Sequence, residues 1–295
     1  SYDAINPTLE ITSDVSDPTN TGFTATFTFD EDVTGFDISD IIVDNGSLSN
    51  FIPVSASVYT VAVAPDSDGS VTLDVDADAA IDAATNGNDA AQYTIEYDIT
   101  QPTVDISTTA NDPTNGAFTA TILFNEDVTG FEISDIIIVN GTLSDFMPIS
   151  ATQYTVLVTP GTDGPVSLEI LANVAEDAAT NGNEASDLFE IQFDGTNPTV
   201  VVGSGVADPT NMAFDVTITF SEPVTGFTVD DIDVGNGMAS NLMGSGAVYT
   251  ATITPAADGG VTVLVFEDLA VDAAGNGNLL SNEFFVEYDA TNPRI

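Results

Sequence analysis

Between Phe23 and Phe29 apolar and polar residues alternate without a break, with Phe23, Ala25, Phe27 and Phe29 on one face and Thr24, Thr26 and Thr28 on the other. A period of two marks a strand with one buried face, because successive strand side chains point to opposite sides of a sheet. The same run returns as Phe118, Ala120, Ile122 and Phe124, and again as Phe214, Val216, Ile218 and Phe220. Shorter runs surround the first copy: Thr8 to Thr12 before it, then Tyr59, Val61 and Val63, then Val71, Leu73 and Val75, then Tyr93, Ile95 and Tyr97. Turn formers punctuate them, including Ser16-Asp17-Pro18-Thr19-Asn20, Asp68-Gly69 and Asn45-Gly46, the last read as a hairpin-type turn. The segment Glu31 to Phe36 reads as a corner running into the next strand, with a bend at Asp40. The Ala-rich stretches 79–84 and 175–179 have room for a single helical turn at most.

The pattern repeats as a whole. An aromatic-Asp-x-x-x-Pro connector places Asp at 3, 98, 194 and 289, in steps of 95, 96 and 95 residues. Three units follow, 1–98, 99–194 and 195–295, the last including the start of another connector. Both ends of the chain fall in the connector, as expected of a segment from a longer array; no signal peptide is apparent. About seven short strands in a unit of this size predict an all-β chain of three tandem immunoglobulin-like β-sandwich domains in an extended array. The Cys-Trp-Cys core of antibody domains is absent, so the expectation rests on strand pattern alone.

Charge changes the picture next. The chain carries 47 acidic residues against one basic residue, Arg294, for a net charge of −46. Nucleic acid is excluded as a partner, since binding it needs Lys and Arg to neutralise phosphates. Anionic membrane surfaces are excluded for the same reason, and no apolar run reaches the length of a membrane span. Such charge would suggest disorder, but 43% of the residues are hydrophobic and alternate regularly, so a folded chain must tolerate it through salt or bound cations.

Strand order then sorts the acids. In an immunoglobulin-like sandwich the loops after the second and sixth strands sit at the N-terminal pole. Those after the first and fifth sit at the C-terminal pole. Glu31, Glu126 and Glu222, with Asp82, Asp177 and Asp272, are therefore expected at N-terminal poles. Asp17 and Asp112, with Asp68 and Asp163, belong at C-terminal poles. The connector residues Asp3, Asp98 and Asp194 stand between poles. Asp98 is expected to meet Asp17 and Asp68 of the unit before it, and Glu126, Asp177 and either Asn181 or Asn183 of the unit after it. Asp194 is expected to meet Asp112, Asp163, Glu222 and Asp272. For a single Asp in a turn the turn chemistry alone is explanation enough. Glu is a poor turn former, however, and carboxylates converging without Lys or Arg call for protonation, separation or a cation. Oxygen-only ligands suit Ca²⁺; Mg²⁺ demands stricter geometry, and zinc or copper would call for His or Cys. The recurring Asp40, Asp135 and Asp231 sit away from the poles and read as structural.

Much chemistry is missing. Without His or Cys there is no Ser-His-Asp or Cys-His nucleophile, and without Lys there is no Lys-Asn isopeptide cross-link. A glycosidase pair of carboxylates would not be repeated in every unit at the junctions, and no Trp offers a sugar platform. The chain reads as non-enzymatic.

Taken in order, Glu31-Asp32-Val33-Thr34-Gly35-Phe36, Asp40-Ile41, Asn45-Gly46, Tyr59, Pro65, Gly69 and Asp82-Ala83-Ala84 with Asn86 and Asn88 resemble the bacterial Ig-like repeats of giant surface adhesins and biofilm-associated proteins. The third unit matches best, through Asp272-Ala273-Ala274-Gly275-Asn276-Gly277-Asn278. The resemblance implies a secreted, Ca²⁺-stiffened extension region, or stalk, that holds a binding tip away from the cell surface. Its partners would be neighbouring repeats of a longer chain and other copies of itself. A self-assembling extracellular filament or surface layer is the alternative, and a carbohydrate-binding accessory module a third.

Overall fold

A computed structural model describes residues 4–292. In the first unit seven strands form: β1 (Leu9–Ser13), β2 (Phe23–Phe29), β3 (Ile41–Asp44), β4 (Gly46–Pro53), β5 (Val58–Pro65), β6 (Gly69–Val75) and β7 (Ala91–Tyr97). They make two antiparallel sheets, β1-β2-β5-β4 and β3-β6-β7, which face each other as a sandwich. The second unit repeats this with β8 (Val104–Thr108), β9 (Phe118–Phe124), β10 (Ile136–Val139), β11 (Gly141–Pro148), β12 (Gln153–Pro160), β13 (Gly164–Ile170) and β14 (Phe189–Phe193). The third has β15 (Val200–Gly203), β16 (Phe214–Val224), β17 (Ile232–Gly235), β18 (Gly237–Pro255), β19 (Gly259–Val265) and β20 (Phe284–Tyr288). There β18 covers the ground of two strands, bending at Gly244 and Gly246, whose positive φ angles glycine adopts without steric cost. Among the described residues every sheet, and every hydrophobic core, lies within one unit.

The alternation in β2 explains the packing. Phe23, Ala25, Phe27 and Phe29 are buried, and across the sandwich they meet Val71, Leu73, Val75 and Ile95. Each fully buried Phe contributes about 1.5–3 kcal/mol of transfer free energy. Phe36, on the corner after β2, stands edge-on to Phe29 at 5.2 Å and to Tyr59 at 5.1 Å, while Phe51 stacks on Tyr59 at 5.7 Å. Phe124, Phe131, Phe146 and Tyr154 repeat the cluster, and in the third unit Leu242 stands where the other two have Phe. The Tyr59 hydroxyl donates to the Ala56 carbonyl at 3.2 Å, so the buried ring keeps a polar partner for its tip.

Two local expectations need correction. Asn45-Gly46 is not a hairpin turn, because β3 and β4 belong to different sheets. It is a crossover between the two layers. Asn45 takes a φ of +56°, and its side-chain amide donates to the carbonyl of Ser67 at 2.7 Å, tying the crossover to the loop before β6. The bend at Asp40 also precedes β3 instead of ending it: Ile38–Asp40 is a 3-10 turn, and Asp40 accepts from the Asp37 N–H at 2.7 Å. Asp135 and Asp231 close the equivalent turns on Glu132 and Thr228.

The exit from each unit is held by a backbone bridge beside an Asp-Pro pair. Asp17-Pro18, Asp112-Pro113 and Asp208-Pro209 are cis peptides. Just after the first, Thr19 forms an isolated parallel bridge with Tyr97, its N–H donating to the Glu96 carbonyl and its own carbonyl accepting from the Asp98 N–H. Thr114 with Phe193 and Thr210 with Tyr288 repeat the arrangement. The connector thus leaves every sandwich clamped at its C-terminal pole.

Candidate metal centre

At each of the two described junctions the fold brings three carboxylates together. Asp98 comes from the connector, Glu126 from the loop after β9, and Asp177 from the loop between β13 and β14; one oxygen from each lies within 4.8 Å of the others. Asp194, Glu222 and Asp272 form the same group one unit later, with Glu222 inside the extended β16. Asp177 and Asp272 are buried, and the other four are half-buried.

The loop carrying Asp177 is built by its own amides. The Asp177 carboxylate accepts from the backbone N–H of Asn181 at 2.8 Å through Oδ1 and from its side-chain amide at 2.9 Å through Oδ2. Asn183 has no solvent exposure: its Oδ1 accepts from the N–H groups of Val174 and Ala175, and its Nδ2 donates to the carbonyls of Leu171 and Glu184. At Gly182 between them a Cβ would stand 2.3 Å from Asn173 Oδ1 and 3.1 Å from its Cα, so a larger residue would displace the Asn173 side chain and crowd its backbone. Asn276-Gly277-Asn278 and Asn86-Gly87-Asn88 are built alike.

The connector is seated on this loop. Asn181 Nδ2 donates to the main-chain carbonyl of Asp98 at 2.9 Å, Gln101 Nε2 to that of Gly182 at 2.8 Å, and the Glu184 N–H to that of Pro102 at 2.8 Å. Asn276, Asn197 and the Leu279 N–H make the equivalent bonds to Asp194, Gly277 and Pro198.

The acids of the C-terminal poles do other work. Asp17 accepts from the Glu96 N–H at 3.0 Å, and Asp112 from that of Gln192 at 2.9 Å. Asp68 accepts from the Ile99 N–H at 2.9 Å and from the Thr100 hydroxyl at 2.5 Å; Asp163 holds Gly195 and Thr196 likewise. These bonds, the threonine hydroxyl first and the backbone N–H second, hold both carboxyls below the ordinary aspartate range. Asp17 and Asp112 thus brace the last strand of their unit and Asp68 and Asp163 the connector after it, and none of the four joins the three-carboxylate groups. Asn183 likewise is a bracket inside its loop, since its polar atoms are all engaged there. Of the acids expected at the first unit's N-terminal pole, Glu31 stands in the loop after β2. Asp82 is pushed up by burial, but its bonds from the Asn86 amide and nearby N–H groups outweigh this and leave it below the usual range. Asp3 lies outside the described residues.

Electrostatics single out the glutamates. Burial, followed by the charges of Asp177 and Asp98, pushes the Glu126 carboxyl above its ordinary range. Burial, then Asp194, Asp272 and Asp163, does the same to Glu222. Among the described residues there is no Lys, Arg or His, so neither group has a cationic side chain there to neutralise it. Three convergent carboxylate oxygens and no nitrogen or sulfur donor fit a hard divalent cation. Asp98, Glu126 and Asp177 would hold it at one junction, Asp194, Glu222 and Asp272 at the other. Sequence reasoning passed over Gln101 and Asn197, whose signal was their shared place before the connector proline.

No curated protein matches the chain. Among solved structures it is similar to invasin, a bacterial integrin-binding protein (15% identity over 87% of this chain, TM-score 0.36). It is also similar to a tetra-tandem repeat in the extending region of a large adhesion protein (21% identity over 96% of this chain and 74% of that one, TM-score 0.34). A third is InvD of Yersinia pseudotuberculosis (11% identity over 95% of this chain and 97% of that one, TM-score 0.40). The chain spans 56% of the invasin structure. The family model of the bacterial Ig-like domain matches three times in succession, over residues 3–99, 98–193 and 194–288. The chain therefore belongs to the bacterial Ig-like domain family, as three tandem copies.

Proposed function

We propose that this chain is a non-enzymatic extension segment of a secreted bacterial surface protein, an adhesin stalk whose junctions are stiffened by Ca²⁺. The observation that carries the reading is the recurrence of the same three carboxylates at both junctions, each group spanning two units. Without a cation, Asp98 repels Glu126 and Asp177 and favours widening the angle between units. With Ca²⁺ the repulsion becomes a shared attraction, and one ion ties the connector to two loops of the next sandwich. Three carboxylates on a partly exposed joint correspond to extracellular affinities of about 10⁻⁴–10⁻³ M. An extension role needs length and stiffness rather than a reactive group, which agrees with a chain devoid of His and Cys.

Calorimetric titration of the chain with Ca²⁺ should report two junction sites, and X-ray scattering should show a larger maximum dimension with Ca²⁺ than with EDTA. An unchanged maximum dimension together with no binding heat would overturn the reading.

A further inference from the structure

The two junctions are not equal, and the difference lies in residues that no cation would touch. At the first, Asn20, in the loop after β1, reaches across to the second unit. Its side-chain amide donates to Asn181 Oδ1 at 3.1 Å and to Thr180 Oγ1 at 3.4 Å. Asn181 passes the connection on to the Asp98 carbonyl. Thr180 has a φ of +68°, a left-handed conformation that is an outlier for a β-branched residue. Thr85 shares the conformation at +71°, and strain of this kind persists only where the surrounding structure over-determines it. At the second junction Gly275 takes the equivalent place, with a φ of +94° that glycine adopts freely. The counterpart of Asn20 is Asn115, whose amide nitrogen lies 3.6 Å from where a Cβ on Gly275 would stand. No hydroxyl meets it there.

We propose that Asn20, Thr180 and Asn181 form a cation-independent clasp that sets the angle of the first junction, and that the second junction, built on Gly275, is the looser hinge. The strained Thr180 is retained because its hydroxyl is an acceptor for the neighbouring unit; Gly275 gives up that acceptor and the strain together. Only the order in which the junctions loosen on cation removal rests on the Ca²⁺ reading. The clasp stands without it.

The test uses the whole chain, whose lack of cysteine allows clean spin labelling. Thr28, Leu123 and Thr219 occupy equivalent exposed positions on β2, β9 and β16. Cysteine pairs Thr28→Cys with Leu123→Cys, and Leu123→Cys with Thr219→Cys, therefore report each junction separately by pulsed electron spin resonance. In EDTA the first pair should give a narrower distance distribution than the second. Asn20→Ala should broaden the first distribution at least to the width of the second and leave the second unchanged. Thr180→Gly should also broaden the first while raising the melting temperature, a combination that a purely structural Thr180 would not produce. Equal widths in EDTA, or an Asn20→Ala chain with an unchanged first distribution, would overturn the clasp. If Ca²⁺ alters neither distribution but Asn20→Ala still broadens the first, the cation reading fails and the clasp survives.

Discussion

The side-chain amide of Asn181 donates to the main-chain carbonyl of Asp98 at 2.9 Å, across the boundary between two units, while its second contact holds the Asp177 carboxylate at 2.9 Å. One amide thus ties the Asp98 main chain and the Asp177 carboxylate to the same loop. Third in the group is Glu126, which has the raised pKa and is where protonation would relieve the crowding.

Asp98→Asn should remove one charged ligand and leave the shape of the connector intact. Calcium affinity at the first junction should fall at least about tenfold, or about 1.4 kcal/mol, with the second junction unaffected. Calorimetry that resolves the two sites checks this, with Asp194→Asn as the mirror experiment.

In EDTA the glutamates make stability depend on pH with a definite sign. Glu126 and Glu222 have folded pKa values raised above their unfolded ones, so the folded chain binds protons more readily there. Their ionisation is destabilising, fully so above the raised folded value, and protonation relieves it as pH falls toward the ordinary glutamate range. Asp68, Asp163 and Asp258 have lowered folded values, so their stabilisation is lost only at more acidic pH, as it falls through those values. Melting temperature in EDTA should therefore rise from pH 7 to about pH 5 and drop again below about pH 4. Calcium should flatten the first part of the curve, because it holds the glutamates ionised. A calorimetric melt across this range decides the matter.

Glu126→Gln should raise the melting temperature in EDTA and lower it in Ca²⁺, relative to the parent chain in the same buffer. The group is only half-buried, so solvent screening keeps the gain in EDTA to a few tenths of a kcal/mol. The opposite signs in the two buffers distinguish crowding from a packing defect.

Asn183→Ala should destabilise the second unit by about 2–3 kcal/mol with or without calcium, because it takes the partner from the buried Ala175 N–H and the part-buried Val174 N–H and from the carbonyls of Leu171 and Glu184. Denaturant melts in both buffers measure this. A loss seen only in calcium would restore Asn183 as a ligand.

What the sequence discloses and what it hides follow from range. The buried face of β2 is written locally in Phe23, Ala25, Phe27 and Phe29, because a period of two needs no partner to be read. Strand order then puts Glu126 and Asp177 at one pole with Asp98. The nature of Asn45-Gly46 stays hidden, since whether two strands share a sheet depends on pairings far along the chain. Asn181 and Asn183 are chemically identical and two residues apart. Only the loop's curvature decides that one faces the connector and the other the core. Asp17 and Asp68 have the composition of ligands, but one oxygen of Asp17 and both of Asp68 accept from N–H and hydroxyl groups of their own unit and connector, which strand pattern does not place.

The bridge between Thr19 and Tyr97 runs parallel, and the strand it clamps leads straight into the connector. Tension along the chain therefore loads these bonds in shear, all at once, instead of peeling them one by one. Each sandwich has its own core and its own sheets. A stretched chain should accordingly yield in separate steps, one sandwich per step, while the remaining sandwiches stay folded and the tether stays intact.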